Sequence, residues 1–367
     1  MGNIIEVNDA GSEISGKSYA KAYHSILCDE MPDFLLEYSS LPIVRRLDGV
    51  GLLCGTDWTP LFKNKFFYSR YDHSVGVALI IWKFTHDKKQ TLSGLFHDIA
   101  MPAFGHVLDF RNGDTENQES TEEPTKQMIN EDLFLSENLF RDGIYKYEID
   151  NYHKYPVADN PRPGLNADRL EYMYPSGSAL CGNWTLDEIK TNYSFTQLLK
   201  NENGEDEIGF SDLDAAVLYT NRFLEISKIL QQNEDKVSMK LLADSISKAI
   251  ECRFLSDDDL YDLDEFSIVR CFDRIEKENV NLEDPSSIKE FCKMWRTFRG
   301  MKEIKRAQEA QKNAYNISLN VKQRYVDPLV KTASGPVRVS KLSKEVAGNI
   351  EDFLNYKDAA YGSVAWL

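Results

Sequence analysis

The stretch LSGLFHDIAMPAFGH, residues 92–106, sets an imidazole and a carboxylate, His97 and Asp98, among Leu95, Phe96 and Ile99. A polar group taken out of water costs free energy unless it is hydrogen-bonded, paired or bound to a metal. Any fold of this chain must therefore bury that segment against something that satisfies both side chains. The surrounding periodicity says what kind of fold. Leu92, Leu95, Phe96 and Ile99 form a helical stripe that Pro102 ends, and His97 and Asp98 point away from it in two directions. In YDHSVGVALIIWKF, the residues His73, Val77, Ile80, Ile81 and Phe84 share one face of a second helix. LDAAVLYTNRFLEISKIL places Leu213, Val217, Thr220 and Leu224 on one side, and MKLLADSISKAIECRFL does the same with Leu242, Ile246, Ala249 and Ile250.

Strand-like alternation is found mainly near the C-terminus, in RYVDPLV and GPVRVSKL, and predicts a small hairpin. Polar breaks fall at 111–125, 155–164, 200–207 and 231–236. The expectation is an all-α fold: a helical core over residues 1–230 that carries the site, and a helical extension over 231–367 with the short β element. There is no fixed-period repeat, Walker loop, GxGxxG or serine elbow.

Composition narrows the function classes. Hydrophobic residues at 42% supply a substantial core, yet the longest apolar run, VGVALIIW, is far short of a bilayer span. MGNIIEVNDAGSEISGKS lacks a signal pattern, and Glu6 stands where a myristoylation motif has Ser or Thr. The six cysteines (28, 54, 181, 252, 271, 292) form no CxxC pair, which fits reduced thiols in a cytoplasmic protein. A net charge of −16 argues against general nucleic-acid binding, since phosphate contacts need Lys and Arg, but it leaves room for one small basic pocket. Within this acidic chain, residues 296–324 hold eight Lys or Arg against two Glu. They read as a solvated helix face, or alternatively as a docking site for a nucleotide or other polyanion.

Asp168, in GLNADRLEYMY after a Pro/Gly-rich break, adds a carboxylate on another apolar-rich helix. Two imidazoles and two carboxylates form a mixed N/O donor set, suited to Fe, Mn, Co, Ni or Mg and less typical of structural zinc. Such a set can leave positions open for water and substrate oxygens. Spacing alone does not establish it. The wider text SRYDHSVGVA, GLFHDIAMPAFGH and NADRLEYMY resembles the HD-domain metal-dependent phosphohydrolase superfamily, whose signature is H…HD…D, over about residues 40–180. It is most similar to the deoxynucleoside-triphosphate triphosphohydrolase-like branch. LPIVRRL resembles that branch's first motif, RYDHSVGVA its Arg-x-x-His helix, AFGHVLDF and DRLEY its later motifs, and RYVDPLV a C-terminal element of relatives.

The resemblance implies that His73, His97, Asp98 and Asp168 hold one divalent metal ion (Fe, Mn, Co, Ni, Mg or Zn), with Asp98 also positioning a water. It implies a nucleotide-like phosphate substrate, and homo-oligomerisation as well. Arg70, one turn before His73, can reach a phosphate with a guanidinium fork, and Arg46 in VRRL is a second candidate. Tyr172, four residues after Asp168, either hydrogen-bonds the substrate or a ligating carboxylate, or packs in the core. His106 and Asp109 are an acid/base pair for the leaving group, or else His106 packs beneath the metal site. His24, His86 and His153 lack motif context. The chain departs from the branch at HDIAM, where Ala100 and Met101 replace the Gly and second His of His-Asp-x-Gly-His, and a downstream His-Glu motif is not visible. The leading expectation is a metal-dependent phosphohydrolase; the alternative is a catalytically silent metal- and nucleotide-binding HD module.

Overall fold

The computed structural model describes residues 16–122, 124–278 and 285–367; the readings attached to the first residues, Glu6 included, lie outside the described residues. Its central element is the helix Arg70–Thr85, which carries His73. Ser69 caps this helix, accepting from the Asp72 N–H at 3.1 Å while its hydroxyl donates to Asp72 Oδ2 at 2.6 Å. Sequence periodicity gave the helix one apolar face. Instead it is buried without a break from Asp72 to Ile81, because the helices Gly16–Leu27, Lys88–Leu95 and Ala167–Ser176 cover its other sides.

The helix Lys88–Leu95 starts at Asp87, whose Oδ1 accepts from the N–H groups of Lys89 and Gln90 at 2.8 and 3.1 Å. It ends two residues before His97, earlier than the stop expected at Pro102. His97 Nδ1 donates to the Gly94 carbonyl in the last turn of this helix at 2.7 Å. The chain continues through Phe96–Ala100 as turns, so His97 and Asp98 stand on a bend just beyond a helix end. Asp168 enters from the helix Ala167–Ser176, where Asn166 accepts from the Arg169 N–H at 2.8 Å.

The fold is mostly helical rather than all-α, since two sheets are built into it. The hairpin expected near the C-terminus is present as β5 (Leu329–Thr332) and β6 (Gly335–Arg338). A second hairpin, β1 (Thr196–Lys200) and β2 (Asp206–Phe210), turns at the polar break 200–207 and joins the first through a parallel β2–β5 pairing, Gly209 opposite Leu329. The other sheet has the order β3 (Lys305–Ala307), β7 (Tyr361–Ala365), β4 (Ala314–Ile317). The basic stretch 296–324 is therefore not one helix face: it leaves the helix Pro285–Gly300 and runs through β3 and β4.

Two large apolar cores result, with a small third cluster of Leu47, Val50 and Met101. One surrounds the His73 helix and takes in Val326, Val330, Val346 and Phe353. The other gathers the helices Asn233–Glu251 and Pro285–Gly300 around Trp58, Phe104 and Val107. No described helix is long and apolar enough to cross a membrane.

Candidate functional site

His73 and His97 arrive on different elements and meet ring to ring, Nε2 to Nε2, at 3.2 Å. Asp168 Oδ1 stands 3.3 Å from His73 Nε2 and 3.7 Å from His97 Nε2. The other nitrogen of each ring is fixed. His73 Nδ1 donates to Glu171 Oε2, and His97 Nδ1 to the Gly94 carbonyl. Both Nε2 atoms therefore present lone pairs to a shared point beside a carboxylate oxygen. With both rings neutral, three acceptors converge there, and a cation, whether a proton on His73 or a metal ion, satisfies them. The buried His73 and His97 with the half-buried Asp168 could hold a metal ion, their donor atoms all lying within 4.8 Å of one another. The 3.2 Å ring spacing also suits two ligands of one ion, since metal–imidazole bonds are about 2.1 Å long.

The electrostatics agree. Burial pushes the His73 imidazole down, but Glu171, Asp168 and Asp98 outweigh it and raise the group to about 10. Burial likewise opposes the charge on Asp168, yet the two histidines hold its carboxyl well below the usual range. The site has a strongly negative potential that favours positive charge.

Asp98 comes within 3.7 Å of His97 Nε2 and 3.8 Å of His73 Nε2, but its Oδ2 also accepts from Arg70 at 2.5 Å. Arg70 is thus placed on Asp98 rather than pointing freely at the cavity. Its guanidinium lies flat under Gly105 (φ +50°), where a Cβ would stand 2.8 Å from the outer nitrogen. Next to Gly105, His106 Nδ1 donates to Asp109 at 2.8 Å, and Asp109 is fully buried, accepting also from Ser120 Oγ at 2.5 Å and the Thr121 N–H at 3.1 Å. Burial holds the His106 imidazole down despite Asp109, with Arg70 and Arg324 adding to the effect.

These groups face a cavity of about 530 Å³, within the range of roughly 300–1,000 Å³ typical of small-molecule sites. His73, His97, Asp98, Asp168, Arg70, His106 and Tyr172 all line it. Asp109 stands behind His106. Tyr172 lies 6.2 Å ring to ring from Phe223, and burial raises its hydroxyl to about 12. Arg46 is not brought to the cavity: it donates to the Ile99 carbonyl and sits over the Tyr261 ring at 5.8 Å. Met101 is buried with Leu47 and Val50 and likewise does not line it.

Several residues in or behind the cavity wall have no motif of their own in the sequence. Glu171 orients His73, and Tyr68 in turn donates to it at 2.6 Å. The available signal was Gly76, an isolated glycine in a helix, where a Cβ would overlap Glu171 Oε1. Glu122 falls in the polar stretch where a His-Glu motif was sought; burial, then Asp98, raise it to about 7. His153 reaches the rim, paired with Asp159 at 2.6 Å. Lys322 and Arg324, the end of the basic stretch, form a further wall. The Lys322 amide donates to the Thr115 carbonyl at 3.1 Å, and Arg324 donates to Gln118 Oε1 at 2.5 Å.

No family model matches the chain. It is 32% identical over 114 residues to the uncharacterized protein YdhJ of Bacillus subtilis, a match spanning 30% of this chain and 34% of that protein's length. Among solved structures, a hypothetical protein from Aquifex aeolicus superimposes with a TM-score of 0.59 at 15% identity, covering 92% of this chain and 93% of the other. A phosphohydrolase from Bacteroides thetaiotaomicron does so with a TM-score of 0.58 at 13% identity, covering 92% and 96%. At such identities the likeness is one of fold. The chain has the architecture of a solved phosphohydrolase, over nearly its whole length.

Proposed function

We propose that this protein is an HD-type, metal-dependent phosphohydrolase that cleaves an ester or anhydride bond of a nucleotide-like phosphate. The observation that carries this reading is the convergence of His73 Nε2, His97 Nε2 and Asp168 Oδ1 at the wall of a ligand-sized cavity, with both rings locked from behind. The shared fold with a phosphohydrolase supports it.

His73, His97 and Asp168 would hold the ion, with Asp98 beside them. When bound, a divalent cation lowers the pKa of a water and withdraws charge from a phosphoryl oxygen. The chain does the rest. Arg70 pins Asp98 so that its other oxygen faces the ligand side and can orient the attacking water. His106, held neutral by burial and fixed through Nδ1 on Asp109, can take at Nε2 the proton that the attacking water loses and hand it to the leaving oxygen. As water oxygen bonds to phosphorus and the phosphorus–oxygen bond to the leaving group breaks, Asp109 stabilises the imidazolium formed in between. Lys322 and Arg324 supply positive charge for further phosphate oxygens.

The competing reading, a silent binding module, came from Ala100 and Met101. Met101 is in an apolar cluster away from the cavity, while His106 and Glu122 line it, which favours turnover. The test is metal content of protein purified without chelator, followed by assay with Mn²⁺ or Fe²⁺ against nucleoside mono- and triphosphates, cyclic nucleotides and bis(p-nitrophenyl) phosphate. Near-stoichiometric metal with turnover is the expected outcome. Metal and nucleotide binding without turnover under any divalent ion would replace this reading with the silent module, and no metal affinity would overturn both.

A further inference from the structure

The cavity wall also contains a carboxylate that the reaction above does not use. Asp235 lies in the first turn of the helix Asn233–Glu251 and lines the cavity, yet it is only 7% exposed. Among the described residues it has neither a hydrogen-bond nor an ion-pair partner. It does not cap its own helix. Arg324, whose one hydrogen bond among the described residues goes to Gln118, and Lys236 are the positive groups that act on it. Met239, one turn further along the same helix, and Leu230 and Phe223 of the preceding helix line the same cavity with apolar surface.

A carboxylate this far buried, with no protein partner among the described residues and only the cavity to accept from, is poorly solvated in the free protein. In its ionised form the side chain accepts and does not donate, so what that form selects is an N–H or O–H donor. The apolar side chains beside it suit a flat ring body, and a flat body with a donor edge is a heterocyclic base. We propose that Asp235 receives the N–H donor edge of a base carried by the ligand, and so sets which nucleotide the cavity accepts. The inference rests on the reading of the His73 end as a phosphate centre. It puts the phosphates at that end, with Arg324 between them and the base. A site built to hydrogen-bond a donor rejects analogues lacking it strongly, because its own buried group is then left unpaired.

The test compares wild type with Asp235→Asn and Asp235→Ser in the full, metal-loaded chain. Calorimetry gives Kd for guanosine, inosine, adenosine and uridine triphosphates, with pyrophosphate as the base-free probe, and melting is recorded for each protein. In Asp235→Asn the best wild-type nucleotide is expected to lose at least about tenfold more affinity than pyrophosphate does, and the ranking of bases to flatten. Its Tm without ligand stays level or rises, as relief of an unpaired charge requires. Equal losses for nucleotides and pyrophosphate, a lowered Tm in both variants, or no change in ranking would each overturn the inference. So would a wild type that binds no nucleotide better than pyrophosphate. Metal-dependent hydrolysis of bis(p-nitrophenyl) phosphate would then leave the phosphohydrolase reading standing. Conversely, base-selective binding lost in Asp235→Asn, without turnover of anything, would keep this inference and remove that reading.

Discussion

At the His73 end of the cavity each polar group leans on another part of the chain: His73 on Glu171, Glu171 on Tyr68, His97 on the Gly94 carbonyl, Asp98 on Arg70, His106 on Asp109. At the Asp235 end the carboxylate has no partner among the described residues and Arg324 has Gln118 alone. The first arrangement fixes tautomers and orientations before any ligand arrives, as catalysis and metal binding demand. The second leaves hydrogen-bonding capacity unused, which costs stability and confers selectivity. Substitutions at the two ends should therefore differ in kind.

The largest effect is expected from Asp168→Ala, which removes the carboxylate shared by both rings. Metal content measured by elemental analysis should fall to background and turnover should vanish with it. A metal-free variant that remained active would break the assignment. Glu171→Gln should act through His73 alone, weakening metal affinity by about 10–100-fold, the usual range for partners behind a ligand. Metal Kd from competition with a chelator checks this, and an unchanged Kd would show that Glu171 merely packs. Gly76→Ala should have a smaller effect of the same kind. The added Cβ favours the helix by about 1 kcal/mol but displaces Glu171, so Tm should change little while metal affinity drops.

The gentlest test concerns the other end and uses pH. Burial raises the Asp235 carboxyl from 3.8 to about 7, Arg324 and Lys236 opposing. With its folded value above the unfolded one, the folded state binds the proton more tightly. That stabilisation is complete below about pH 4 and is lost as pH rises through 7. Asp235→Asn, which cannot ionise, should match wild type in Tm at the acid end of this window and exceed it by a few degrees near pH 8. An equal pH slope in both proteins would remove the contrast between the ends.

The part of the site legible in the sequence is local. His73 on a helix and His97 beside Asp98 near another could be read because helix periodicity and turn chemistry act over a few residues. Even there the contacts shifted the details: the His73 helix is covered on all sides, and the helix before His97 stops at Leu95, with the His97 ring folded back onto the Gly94 carbonyl. The short strands β1 and β2 flank the polar break 200–207 and went unread because a five-residue strand carries little pattern, and β5, the second partner of β2, lies more than a hundred residues on. The basic stretch looked like a helix face because charge counts contain no direction.

The sequence by itself determined a mostly helical chain with its imidazoles and carboxylates in apolar surroundings, because periodicity and the cost of burying a polar group are properties of neighbouring residues. Tertiary structure alone decided that Glu171 stands behind His73, that Arg46 turns to Ile99, and that Arg324 and Asp235 share a cavity with residues from the first half of the chain. Those contacts depend on how helices and strands distant in the chain pack. Packing of that kind is set by the shapes of whole surfaces, which no local pattern encodes.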